Sequence, residues 1–320
     1  MAHAFGQIKT MKQKIWLTLF SALIFGSVLG QSFEKVIFSD NSDDYYLVLR
    51  PTTDKIKGVL VLLPGYGEKA ESIFPQSKLF NVAYANDLLT IAIACGEKIY
   101  ADEQVINKLD RGLSDLIKRN PNISKEKFVI GGFSAGGTIG LRYAEYCVEN
   151  QAKVPLVPKG VFTVDSPLDL FDIWDYFQRE IKKNYSEAGV FEAKMISERM
   201  NKEIGTPETN PKKYNELTPF NHKMTELGNE KHLKNMAVRV YEDIDVEWQL
   251  KERRRSLYDT NILSASELIN RLLLIGNTKA EFKTSKQPGQ RSNGMRHPHS
   301  WSIVDEMECI QWTLKLFDTK

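Results

Sequence analysis

One serine in this chain sits where a hydroxyl can become a nucleophile. Ser134 is the centre of Gly132-Phe133-Ser134-Ala135-Gly136, with the β-prone run 127–131 before it and the helix-prone stretch 136–148 after it. A sharp strand-to-helix reversal of this pattern lifts the serine oxygen out of a sheet. It also sets that oxygen at a helix N-terminus, where free N–H groups and the helix dipole favour negative charge. Glycines two places to either side suit such a reversal, because larger side chains would collide as the chain folds back. The chemistry this implies is nucleophilic acyl transfer. The alternative is a glycine-rich turn that binds a phosphate or simply packs tightly.

The rest of the chain must supply the elements that hold this turn. Residues 33–38 and 45–50 read as a hairpin around Asp40, Asn41 and Ser42. The apolar run 58–63 ends in Pro64-Gly65 and, like 88–94, suits a strand buried on both faces. Between residues 101 and 119, Val105, Ile106, Leu109, Leu113, Leu116 and Ile117 recur at helical spacing. Further strands are predicted at 160–164, 238–242 and 280–284, with a helix that includes 267–274 and an amphipathic helix over 302–317. Strands alternating with helices predict an α/β fold with a mostly parallel sheet flanked by helices. The stretch 168–235 breaks this rhythm. It is long, charged and helix-prone, with Phe171, Trp174, Tyr176 and Phe177 near its start, and reads as an inserted helical cap. The core is then 31–167 and 236–320.

With the motif around Ser134 set between strand and helix in an alternating chain, residues from about 33 to 316 resemble the α/β-hydrolase superfamily. The likeness extends more loosely to its secreted esterase and dipeptidyl-peptidase-like branches. The resemblance implies a Ser, acid, His triad in that chain order and an oxyanion hole made by two backbone amides. The chain has five histidines: His3, His222, His232, His297 and His299. The resemblance expects the triad histidine between the last strand and the last helix, in Arg296-His297-Pro298-His299-Ser300-Trp301, and His299 fits better than His297, which precedes a proline. The acid is expected after the strand at 238–242, which favours Asp245 over Asp243 and Glu247. A variant of the fold places it one strand earlier and nominates Asp165. Its role is to fix the imidazole tautomer and stabilise its cation. Ala135 and Tyr66, the latter in Pro64-Gly65-Tyr66-Gly67, are the candidate oxyanion amides.

Around this site, Trp174, Arg291 and Arg296 are candidate substrate contacts, and one arginine of the run Lys251, Arg253, Arg254, Arg255 could pair with a substrate carboxylate. His297 and His299 have no third ligand at a recognisable spacing, so no metal and no cofactor are expected. Cys95, Cys147 and Cys309 are too few and too widely spaced for a disulfide framework, though a Cys95–Cys147 bridge stays open.

Composition agrees with this reading. The 320 residues carry 43 Lys plus Arg against 41 Asp plus Glu, a formal charge of +2 that argues against a dedicated nucleic-acid binder. Lys12 and Lys14 precede an uncharged apolar stretch, 15–29, and Gly30 comes before a polar boundary. That reads as a signal peptide over 1–30, cleaved near Gly30-Gln31, with an uncleaved membrane tether as the lesser alternative. Its removal leaves 40 basic against 41 acidic residues. The expectation is an exported serine hydrolase acting on small or saccharide-linked acyl esters, with neither nucleic acid nor, after cleavage, membrane as partner. A peptidase of the related branch and a non-catalytic binding protein are the alternatives, and the oligomeric state is left open.

Overall fold

The computed structural model describes residues 31–53, 55–285 and 288–318, so the leader expected at 1–30 lies outside the described residues. Among these residues eight strands form one sheet: β1 (Phe33–Ile37), β2 (Tyr45–Leu49), β3 (Gly58–Leu63), β4 (Leu88–Ile93), β5 (Phe128–Phe133), β6 (Gly160–Val164), β7 (Ala237–Glu242) and β8 (Ala280–Thr284). Their spatial order is β1-β2-β4-β3-β5-β6-β7-β8. The pairs β1–β2 and β2–β4 are antiparallel, and every pair from β4 through β3 to β8 is parallel. This is the mostly parallel α/β sheet that the alternating pattern predicts.

The five central strands β3 to β7 are buried at every position. Their continuous apolar runs follow from having helices on both faces. Side chains alternate across the pleat. Val59, Val61 and Leu63 of β3 therefore pack with α2 (Glu103–Arg119), α3 (Ala135–Glu149) and α7 (Ile262–Leu274) on one side. Leu60 and Leu62 pack with α1 (Leu79–Ala85) and α8 (Glu306–Asp318) on the other.

Between β6 and β7 the chain forms α4 (Leu170–Lys183), α5 (Glu187–Ile204) and α6 (Pro211–Leu217). These share an apolar cluster of their own, in which Leu170, Trp174, Phe177, Ile196, Met200 and Tyr214 are buried together with Ala135 of the core. The last helix begins later than its amphipathic pattern suggests. Trp301–Ile303 is a 3₁₀ turn, and Asp305 then accepts the Glu308 amide at 3.0 Å, so the helix proper starts at Glu306. Among the described residues no helix is long and apolar enough to cross a membrane. Cys95, Cys147 and Cys309 are free thiols, and burial pushes each up to about 12.

Candidate active site

Ser134 occupies the single-residue hinge between β5 and α3, with φ 53° and ψ −126°. A non-glycine residue rarely adopts this backbone, and it persists only where its surroundings over-determine it. Here they do. A Cβ on Gly132 would lie 2.2 Å from the Gly136 carbonyl oxygen, and one on Gly136 would lie 2.3 Å from the carbonyl oxygens of Leu63 and Pro64. A Cβ on Gly137 would meet Ser166 Oγ at 2.0 Å. The reversal is therefore possible only because three positions lack side chains. The Ser134 amide donates to the Val164 carbonyl at 2.9 Å, which ties the hinge to the end of the neighbouring strand β6.

Asp165 is the next residue after β6. It too has positive φ, 40°, and its amide continues the ladder by donating to the Tyr241 carbonyl at 2.9 Å. Ser134 and Asp165 thus leave the carboxyl ends of two adjacent parallel strands, the end of an α/β sheet at which ligands bind. Asp165 is 8% exposed. Its Oδ2 lies 3.1 Å from His299 Nδ1, and its Oδ1 accepts Asn261 Nδ2 at 2.6 Å. Burial by itself raises the Asp165 pKa; the His299 charge, its hydrogen bond and the Asn261 amide outweigh burial and hold the carboxyl below its ordinary value. The His299 ring rests against Phe133 with centroids 4.5 Å apart. With Nδ1 engaged by Asp165, its Nε2 is left for the cavity that Ser134 also lines.

Asp245, expected to orient His299, does not face it. Its Oδ1 accepts the Trp248 amide at 2.9 Å as the cap of a short helical turn, and its Oδ2 takes Arg296 Nη2 at 2.7 Å. The Trp248 amide, and after it the Arg296 guanidinium, outweigh the opposing effect of burial and hold its pKa below the ordinary value. Asp243 is likewise committed, to the Gly289 amide at 2.8 Å and to Arg296 Nη1 at 2.8 Å. The partner of His299 is Asp165. Two expected substrate contacts also move elsewhere. Arg296 ties down the loop that carries His299, and Trp174 packs edge-on against Tyr214 inside the cap cluster. Arg291 does line the cavity. Asn261, which steadies Asp165, belongs to no motif that a sequence reading could find.

Two backbone amides at the site have no acceptor among the described residues. In the turn after β3, the Gly65 amide donates to Glu68 Oε2 at 2.9 Å and the Gly67 amide to the Gly96 carbonyl at 3.0 Å. The Tyr66 amide between them has no acceptor among the described residues. Ala135 is the first residue of α3, so its amide has no intrahelical acceptor either. Tyr66, Ser134 and Ala135 line one cavity of about 900 Å³. Ile173, Tyr176 and Phe177 of α4 with Phe191, Met195 and Ile196 of α5 give that cavity an apolar roof.

Other titratable side chains border the same space, among them Glu242, Asp169, Asp172 and His222. Glu242, at the end of β7, is 1% exposed, and its Oε1 has no partner among the described residues. Burial, reinforced by the charges of Asp165 and Asp243, pushes its pKa well above the ordinary carboxylate range. Asp169, Asp172 and His222 place ligand atoms within 4.8 Å of one another, the arrangement among the described residues that could take a cation. Asp169 is nevertheless fully occupied. Its Oδ1 caps α4 by accepting the Phe171 amide at 2.9 Å, and its Oδ2 holds both the amide and Nδ1 of His222, at 2.9 and 2.8 Å.

No protein-family model matches the chain, and no curated protein does. Solved structures do match in fold. A bacterial heroin esterase superposes with a TM-score of 0.56 at 16% identity, over 97% of this chain and 91% of its own. FphF, a fluorophosphonate-binding serine hydrolase of Staphylococcus aureus, gives 0.55 at 12% identity over 89% and 98%. The acylaminoacyl peptidase of Pyrococcus horikoshii gives 0.55 at 13% identity over 94% of this chain and 43% of the peptidase, so the chain spans less than half of that protein.

Proposed function

From the premise that this chain has the α/β-hydrolase fold, we propose that it is a serine hydrolase that cleaves carboxylic esters through an acyl-enzyme on Ser134. The observation that carries this reading is the Asp165–His299 pair, 3.1 Å apart, on the cavity into which the strained Ser134 opens. Ser134 Oγ attacks the ester carbonyl while His299 Nε2 takes its proton, and the amides of Tyr66 and Ala135 receive the developing oxyanion. The imidazolium then returns the proton to the leaving oxygen, and the alcohol departs. Water, deprotonated by the same nitrogen, attacks the acyl-serine and releases the acid with Ser134 restored. Asp165 keeps the Nδ1 proton in place and stabilises the cation formed in each half.

The apolar roof formed by α4 and α5 supports small esters with an apolar acyl portion. Export through the basic and apolar stretch before Gln31 is part of the same proposal. Labelling with a fluorophosphonate probe and assay on short acyl esters test the catalytic reading. The expected result is one adduct on Ser134, absent together with turnover in Ser134→Ala. A wild-type protein that neither labels nor turns over any ester would overturn it.

A further inference from the structure

Four arginines line the cavity: Arg179, Arg253, Arg255 and Arg291. Two have carboxylate partners. Arg179 Nε donates to Asp259 at 2.8 Å and its Nη2 to the Tyr258 carbonyl at 2.6 Å, while Arg255 Nη2 sits 3.2 Å from Glu180 Oε1. The other two do not. Arg253 Nη2 lies 2.7 Å from Nε2 of His297, and its guanidinium carbon is 5.5 Å from the Trp248 ring. A guanidinium only donates, so His297 accepts there and is uncharged. The Arg291 guanidinium lies 5.5 Å from the centre of the Phe133 ring, directly before Ser134, and has no carboxylate within ion-pair distance among the described residues.

The carboxylates that face Arg291 at longer range are Glu68, Asp165 and Glu192. Glu68 is held by the Gly65 amide, Ser72 and Gln76, and Asp165 by His299 and Asn261. Glu192 of α5 also lines the cavity, but it is solvent-exposed and forms no ion pair with Arg291. In the loop that carries Arg291, the neighbouring Arg296 already takes both Asp243 and Asp245. Burial, with Arg253 adding its own positive charge, works against the charged form of Arg291 and lowers its pKa. Burial and the charges of Arg291, His299 and Arg253 likewise bring His297 down to about 3. The wall of the cavity beside His299 therefore carries two guanidiniums without an ion-pair partner among the described residues, at a desolvation cost that a bound anion would relieve.

We propose that Arg291 and Arg253 form an anion subsite beside Ser134, and that the ester substrate carries a carboxylate which these guanidiniums receive; this rests on the ester-hydrolase reading. Each guanidinium offers a planar fork that matches a carboxylate, Arg291 over the Phe133 face and Arg253 against Trp248. Substrates would then be amphiphilic, with the apolar portion under α4 and α5 and the carboxylate against the arginines.

The test compares esters of similar shape, one of each pair carrying a carboxylate, and takes as its measure how each ratio changes between wild type and variants. One arm sets mono-4-nitrophenyl glutarate against 4-nitrophenyl pentanoate, with the charge on the acyl side. The other sets 4-acetoxybenzoate against its methyl ester, with the charge on the leaving group. In at least one arm kcat/KM should favour the anion by about tenfold or more, one good charged hydrogen-bonded contact. Arg291→Gln and Arg253→Gln should each bring that ratio towards one, mainly through KM, and Arg291→Lys should keep part of it. Ser134 labelling in each variant shows that the site is still folded. A wild-type ratio near one in both arms, or a ratio unchanged in both glutamine variants that still label, would overturn the subsite. If wild-type protein neither labels nor turns over any ester, the hydrolase reading fails separately. Calorimetric titration with glutarate then decides the subsite: binding lost in Arg291→Gln supports it, and equal binding in both proteins overturns it.

Discussion

His299 Nδ1 lies 3.1 Å from Oδ2 of Asp165, the residue that follows β6, and not beside an aspartate that follows β7. The acid of the candidate triad therefore comes from the strand adjacent to the nucleophile's own, and the Ser134 amide bonds directly to that strand's last carbonyl.

Asp165→Asn should lower kcat by about 10³- to 10⁴-fold, because the amide cannot stabilise the imidazolium and favours the wrong tautomer. Asp245→Asn should leave kcat within about threefold, since its carboxylate serves only a cap and an arginine. Steady-state kinetics on one short acyl ester distinguish the two, and the reverse ranking would restore Asp245 as the acid.

Gly136→Ala should cost about 3 kcal/mol or more, if the protein folds at all, because the new methyl meets two backbone carbonyl oxygens that cannot yield cheaply. Gly276→Ala is the control. Its added Cβ meets nothing within 4 Å, so only the strain of its φ of 88° is felt. Urea unfolding of the two variants should rank Gly136→Ala as the more damaging.

Glu242 predicts a pH dependence of stability. Its folded-state pKa lies well above the ordinary value of 4.5, chiefly through burial, so the folded protein holds a proton that the unfolded chain gives up. Its contribution is complete below pH 4.5 and is lost as pH rises from there through the elevated folded value. Glu242→Gln has no proton to lose. Its melting temperature should be close to that of the wild type at pH 4.5 and higher than it at pH 8. Parallel melting profiles across that range would count against a neutral Glu242.

Arg296 holds Asp243 and Asp245 at 2.8 and 2.7 Å and bonds the Gly289 carbonyl at 3.1 Å. Removing it in Arg296→Gln should cost about 1–2 kcal/mol, a figure kept small because the pair with Asp245 is partly exposed. It should also lower kcat, because His299 sits in the same loop. Denaturant unfolding with parallel kinetics checks both, and an unchanged kcat would show that His299 is held by Phe133 and Asp165 alone.

Much of this architecture is written into local sequence. The runs Gly58–Leu63 and Gly160–Val164 coincide with the predicted strands because strands covered on both faces are apolar throughout. The turn at Ser134 was legible because its flanking glycines answer a steric demand within a few residues of chain. The placement of Trp174 was not. An aromatic at the start of a helix reads the same whether it faces a cavity or the cluster with Tyr214, and helix packing chose the cluster.

The sequence by itself determined that a serine would stand at a strand-to-helix hinge, that an alternating chain would build a mostly parallel sheet, and that histidines would follow its last strand. It could not decide which aspartate His299 meets. Asp165, Asp243 and Asp245 all follow closely on the end of a buried strand, and nothing local distinguishes them. Only the tertiary structure did. The order β5-β6-β7 sets Asp165 next to the nucleophile, and Arg296, brought in by the histidine's own loop, takes the other two carboxylates. A contact between groups far apart in the chain depends on the register of strands and the path of loops, which spacing along the sequence does not encode.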